Sequence, residues 1–179
     1  MNDLKPWLKS KQKEVDAALG RLLPRENTRP ATIHKAMRYS VFAGGKRLRP
    51  ILCLAAAEAC GGKIENALAP ACATEVMHTY SLVHDDLPCM DDDDLRRGRP
   101  TSHMVFGEGM AVLTGDALLT EVFTMIAQTP PTKRFSVRDY VEEIAITGGS
   151  KKLIGGQVLD LEGEGKKLTK KDLVRIHEA

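Results

Sequence analysis

Apolar side chains recur every three or four residues along most of the chain, and no stretch alternates strictly between apolar and polar. That period is helical. Leu8, Val15, Ala18, Leu19, Leu22 and Leu23 mark a first helix over residues 4–23, ended by a polar stretch at 24–30. Thr32 is the expected N-cap of a second helix at 33–42. Gly44-Gly45 breaks it, and Pro50 suits the first turn of a third, which covers 51–60 and stops at Gly61-Gly62. Pro70 is expected to open a long helix to about His84, with Asp85 and Asp86 still on its last turn. A loop to Thr101 follows. Thr114 or Asp116 should start the next helix, which ends near Ala127 before Pro130-Pro131. Ser136 caps a helix at 137–147, and two glycine pairs, 148–149 and 155–156, bracket a short interrupted one. Thr169-Lys170-Lys171-Asp172 fits a capping box. The fold class expected is all-α, a bundle of helices joined by short glycine-containing links.

Composition narrows this picture. The chain has 179 residues, 42% of them hydrophobic and 28% charged, as in ordinary globular proteins. Aromatics are only 4%, so the core must come from Ala, Leu, Ile, Val and Met, which suits close helix packing. A net charge of +2 gives no case for nucleic acid or an anionic membrane as partner. The longest uninterrupted apolar run, at 51–57, is far short of the ~20 residues of a span, so no membrane span is expected. The N-terminus has no apolar core of a secretion signal. Cys53, Cys60, Cys72 and Cys89 form no C-x-x-C pair. The first three read as small core residues, and a cytoplasmic location is the simplest expectation. The last helix has room for two or three turns before Ala179 and carries no stop signal. The chain is therefore expected to be residues 1–179 of a single domain whose C-terminal part is missing.

The candidate chemistry lies in two loops. Residues 85–94 hold six aspartates: Asp85, Asp86, Asp91, Asp92, Asp93 and Asp94. Two like charges about 4 Å apart cost on the order of 4 kcal/mol at an effective dielectric near 20. Converging several requires cations. Oxygen donors without Cys suit Mg²⁺, which prefers one or two carboxylates, waters and substrate phosphates. The acidic loop therefore implies a phosphorylated ligand. Arg96, Arg97 and Arg99 follow, and guanidinium forks match phosphate oxygens. A second basic cluster, Gly44-Gly45-Lys46-Arg47-Leu48-Arg49-Pro50, lies after a helix break. Its glycines let backbone N–H groups approach an anion. On one helix His78, Ser81 and Asp85 share a face, with His78 about 10 Å below Asp85. The picture is a cavity with Mg²⁺ at one end and a separate cationic site close by.

In order along the chain stand Gly-Gly-Lys46-Arg-Leu-Arg49-Pro, His78, Asp85-Asp86-x4-Asp91-Asp92 with Leu-Arg96-Arg97-Gly, Gly115-Asp116-Ala-Leu-Leu, and Gly155-Gly156-Gln157. Together they resemble the trans-isoprenyl diphosphate synthases, the farnesyl and geranylgeranyl diphosphate synthase family. The resemblance implies an all-α isoprenoid synthase bundle, a homodimer, and prenyl transfer. Asp85, Asp86 and Asp91, with Asp92, would hold Mg²⁺ against an allylic diphosphate (dimethylallyl, geranyl or farnesyl). Arg96 would bind that diphosphate. Lys46, Arg49, His78 and Arg97 would bind isopentenyl diphosphate, and Gln157 would lie on the allylic side. Asp85, Asp86, Asp91 and Arg96 would be the catalytic groups. Tyr80 and Ser81, just upstream of the acidic motif, would set product length, with a bulky Tyr80 favouring C15 over C20. The family also carries a second Asp-rich motif and a Lys-Thr pair in its C-terminal half. Neither is in this sequence, so the 179-residue chain alone is expected to be inactive. Two other readings stand beside this one. A non-catalytic subunit modulating a full-length synthase would not need the retained aspartates and arginines. A Mg²⁺-dependent phosphate-ester hydrolase would need a general base, and none pairs clearly with the motif.

Overall fold

The computed structural model describes residues 4–179, so the reading of the extreme N-terminus lies partly outside the described residues. The chain divides into two compact units, one up to Pro130 and one from Pro131 onward. The first contains α1 (Leu4–Leu22), α2 (Ala31–Val41), α3 (Leu48–Ala59), α4 (Ile64–Asp85), α5 (Ser102–Phe106) and α6 (Glu108–Ala127). A two-stranded ribbon, β1 (Leu95–Arg96) with β2 (Arg99–Pro100), lies between α4 and α5. The second unit contains α7 (Val137–Gly148), α8 (Leu153–Gly163) and α9 (Lys170–Glu178).

The core of the first unit forms around α4, which packs most extensively on α6 and α3 and also on α1 and α2. Helices surrounded in this way lose their polar face. Accordingly Ala71, Cys72, Ala73, Val76, Tyr80 and Val83 of α4 are all buried. Leu19, Leu54, Leu118, Val122 and Met125 fill the space from the neighbouring helices. The small residues of α4 permit the close approach that an aromatic-poor composition suggests.

Several boundaries differ from those expected. The long helix starts at Ile64, and Pro70 lies inside it. Proline removes one helical N–H, but burial of Ala67 on the preceding turn favours helix there. The next helix starts at Glu108, not at Thr114 or Asp116, because Gly109 and Gly115 sit within it and mask its period. The second starts at Ala31, with Pro30 as its extended cap in place of Thr32. The interrupted helix is continuous through Gly155-Gly156, despite a propensity cost of about 1 kcal/mol per glycine, and it packs on α9. The capping box expected at Thr169 with Asp172 forms, and Ser136 caps its helix as expected, as part of a second box with Asp139. Of the cysteines read as core, Cys72 is buried, Cys53 half-buried and Cys60 exposed, because α3 ends beside it at Gly61-Gly62. Burial pushes the Cys72 thiol up to about 12.

Among the described residues one helix, α6, is long and apolar enough to cross a membrane, with a window of mean hydropathy 1.5. Counting uninterrupted apolar runs misses it, because Thr114, Gly115, Asp116, Thr120 and Glu121 break the run. Its Ala111, Leu118, Val122 and Met125 are fully buried, so it serves as a core helix of this unit.

Candidate active site

Helix α4 ends at Asp85, with Asp86 as its C-cap. The chain then folds back on itself. The N–H of Asp91 donates to the Asp85 carbonyl at 2.8 Å, and those of Met90 and Asp92 donate to the Leu87 carbonyl at 2.8 and 3.1 Å. This turn brings the backbone of Asp91 beside that of Asp85, six residues earlier, at the end of the helix. Asp85 is half-buried, whereas Asp91, Asp92, Asp93 and Asp94 are exposed.

Next comes the ribbon, with Arg97 and Gly98 at its turn, at φ 55° and 76°. Positive φ at both central residues gives the twist a two-residue hairpin needs. The ribbon returns Arg96 towards the helix end. Arg96 Nε donates to Asp86 Oδ1 at 2.5 Å and its Nη2 donates to Asp93 Oδ2 at 3.1 Å. Asp86 is only 3% exposed, and burial pushes its carboxyl up against the opposing pull of Arg96. Asp86, expected as a metal ligand, thus pairs with Arg96, expected on the allylic diphosphate.

The other end of the ribbon is tied to α2 and the basic loop. Arg97 donates from Nη1 to the Gly44 carbonyl, and Arg99 donates to the Phe42 carbonyl at 3.2 Å. The Arg99 guanidinium also lies 4.7 Å above the Tyr39 ring, while Tyr39 donates to the Pro100 carbonyl at 2.7 Å. Gly45 has φ 124°, and a Cβ there would lie 2.5 Å from Arg97 Nη1, so only glycine fits.

Lys46, Arg49, His78 and Arg97 line one open cavity of about 570 Å³ together with Gly45, Arg47, Leu48 and Glu75. Burial, followed by the charge of Arg49, lowers His78 to about 4. Glu75 pulls it upward, and Arg97 and Arg96 push it further down. It is therefore neutral at pH 7 and can donate one N–H to an anion whose charge the arginines and Lys46 balance. Such a cavity suits a diphosphate.

Arg47 has a different fate from its neighbours. It is the N-cap of α3, at φ 53°, and 3% exposed. Its Nη1 donates to Glu75 Oε1, its Nε to Asp16 Oδ1 and its Nη2 to the Val41 carbonyl, each at 2.8 Å. Arg47, Asp92 and Arg97 are the non-glycine residues at positive φ among those described, and all lie in the two candidate loops. Such conformations persist where surrounding contacts hold them, often at functional sites. Sequence reasoning missed Tyr39 and Glu75, whose partners lie far along the chain; neither belongs to a motif.

Tyr80 is 5% exposed, and its ring meets that of His84 edge-on at 6.0 Å. Ser81 is half-buried and its hydroxyl donates to the His78 carbonyl at 3.0 Å. Gln157 lies on α8, in the second unit.

Among the described residues no three His, Cys, Asp or Glu side chains converge as a metal cage. The donors at the end of α4 are all carboxylate oxygens, several of them exposed. That set fits a hard cation that keeps waters and completes its coordination with substrate phosphates. Asp85, Asp91 and Asp92 would hold it.

A sequence profile described as polyprenyl synthetase matches residues 30–179. The chain belongs to that family. It is 50% identical over 163 residues to geranylgeranyl pyrophosphate synthase 4 of Arabidopsis thaliana, across 91% of this chain and 43% of that protein. It is 47% identical over 176 residues to the farnesyl diphosphate synthase of Geobacillus stearothermophilus, across 96% of this chain and 58% of the relative. Among solved structures, a geranyltransferase from Legionella pneumophila aligns with a TM-score of 0.90 at 32% identity, over 97% of this chain and 62% of that one. The geranylgeranyl pyrophosphate synthetase of Pyrococcus horikoshii Ot3 aligns at 0.86 with 37% identity, over 96% and 50%. The chain thus has the all-α isoprenoid synthase fold and spans about half the length of the curated relatives it matches.

Proposed function

We propose that the protein carrying this sequence is a short-chain trans-prenyltransferase that joins an allylic diphosphate to isopentenyl diphosphate, giving farnesyl or geranylgeranyl diphosphate. The observation that carries the reading is the division of charge on α4. An acidic, all-oxygen end at Asp85 stands about two turns, roughly 10 Å, above His78 and its cationic cavity. Two diphosphates can be held apart by charge while their carbon tails meet between.

Bound Mg²⁺ would screen the allylic diphosphate and stabilise it as a leaving group. Asp85, Asp91 and Asp92 orient that headgroup, and Arg96, held by Asp86, lies where charge develops. Lys46, Arg49, Arg97 and neutral His78 fix isopentenyl diphosphate so that its double bond faces the allylic cation. A proton then leaves the adduct for the departing diphosphate. No side-chain nucleophile is required, and the apolar walls must exclude water, which would quench the cation. Gln157 is assigned to the allylic side by the family resemblance.

A homodimer and a cytoplasmic location complete the proposal. The apolar Met104 of α5 and Leu113 of α6 are more than half exposed, which supports a covered face, and the cysteines are free thiols. The test is incubation of the whole protein that carries this sequence with labelled isopentenyl diphosphate, Mg²⁺ and geranyl or dimethylallyl diphosphate. A C15 or C20 diphosphate is expected; release of inorganic phosphate without chain growth would replace transfer by hydrolysis.

Tyr80 gives a finer prediction. Its buried ring lies on α4 one turn before His84, which it meets edge-on, close to the acidic end. Tyr80→Ala should lengthen the dominant product by at least one five-carbon unit, read by chromatography of the dephosphorylated alcohols. An unchanged product ratio would remove Tyr80 from chain-length control.

A further inference from the structure

The Gly115-Asp116 motif has no part in binding either diphosphate as proposed above, yet it meets α4 one residue before the acidic pair. A Cβ on Gly115 would lie 2.0 Å from His84 Nε2 and 2.3 Å from His84 Cδ2. The imidazole therefore occupies the space a side chain at position 115 would need. His84 Nε2 lies 3.0 Å from the Val112 carbonyl, one turn earlier on α6, and 4.0 Å from Asp116 Oδ1. The Tyr80 ring closes on the imidazole from α4 itself. His84 is thus fixed on three sides, and Asp85 is the next residue and the last of its helix.

We propose that Gly115 and Asp116 are positioning residues: they lock His84 onto α6 and thereby set where the end of α4 presents Asp85 and, through the turn, Asp91. The reason is geometric. The last turn of a helix frays unless tied to something, and here the tie is a ring seated in a notch of the neighbouring helix. The lock acts on the acidic end and leaves the cationic cavity, about two turns away, untouched. This inference rests on the prenyltransferase reading only for what the acidic end binds.

The test uses Gly115→Ala, His84→Ala and the double variant. The Mg²⁺-dependent part of inorganic pyrophosphate binding, from calorimetry with and without Mg²⁺, reads the acidic end, and isopentenyl diphosphate binding without Mg²⁺ reads the cavity. Gly115→Ala should weaken the first roughly tenfold while the second changes less than about twofold. In the His84→Ala background the same change at 115 should add less than twofold, because the clash is gone. Folding of the double variant where Gly115→Ala alone fails to fold would support the lock equally. The proposal falls if Gly115→Ala is as harmful without His84 as with it, or if both ligands weaken together. Failure of the whole wild-type protein that carries this sequence to elongate any allylic diphosphate, with this cycle intact, would overturn the prenyltransferase reading and leave the lock standing.

Discussion

Asp85→Asn should lower turnover roughly 10³-fold, about 4 kcal/mol of lost transition-state stabilisation. The change keeps the shape of the side chain and removes its charge. Asp85 lies at the end of α4, where the Asp91 N–H donates to its backbone carbonyl, and substitution leaves that hydrogen bond in place. The fold should therefore survive, with a Tm close to that of the parent. The half-saturating Mg²⁺ concentration should rise at least tenfold, because one of few protein oxygens on the ion becomes a neutral amide. Isopentenyl diphosphate, bound in the cavity around His78, should keep its KM within about threefold. Steady-state kinetics at varied Mg²⁺ reads all three quantities. A loss of less than tenfold, or equal damage to both substrates, would remove Asp85 from the metal-binding role.

The second large effect concerns stability. Arg47→Ala should destabilise the protein by about 3–5 kcal/mol, because it leaves the Glu75 carboxylate buried without its partner. The two side chains are 3% and 4% exposed, and their contact is 2.8 Å. The same substitution also orphans the Val41 carbonyl at the end of α2. Asp16 adds little, since it is 39% exposed and water can replace its partner. For a protein of this size the Tm should fall by roughly 10 °C. Replacing both partners, as Arg47→Met with Glu75→Leu, should recover most of that loss, because apolar groups fill the site without stranding a charge. Thermal denaturation of the single and paired variants checks this, and a loss below about 1 kcal/mol for Arg47→Ala would show that the pair does not hold the loop.

Arg47 also marks where sequence reading stops. Lys46, Arg47 and Arg49 are neighbours of similar chemistry in one motif. Lys46 and Arg49 are exposed in the cavity, and Arg47 is buried. What separates them is contact with Glu75 and Asp16, 28 and 31 residues away. No local pattern encodes that. The same holds for Tyr39, which anchors the ribbon from 61 residues away, and for Gly115, whose reason is an imidazole on another helix. Pro70 and Gly109 misled the boundaries because local propensity favours breaks there, whereas burial within the bundle favours continuous helix.

By itself the sequence determined the helical class, since the apolar period is local and repeats over most of the chain. It determined the capping box of Thr169 with Asp172 and the cap at Ser136, because those signals lie within one turn. It also determined that His78 shares the Asp85 face, because helix geometry suffices. The pairing of Asp85 with Asp91 is implied by the family resemblance, and the turn that joins their backbones is a feature of the folded loop. Tertiary structure alone decided which arginine is structural, that Asp86 turns inward to hold Arg96, and that His78 stays neutral. Each of those depends on burial and on charges brought together from distant segments, and desolvation is a property of the packed molecule.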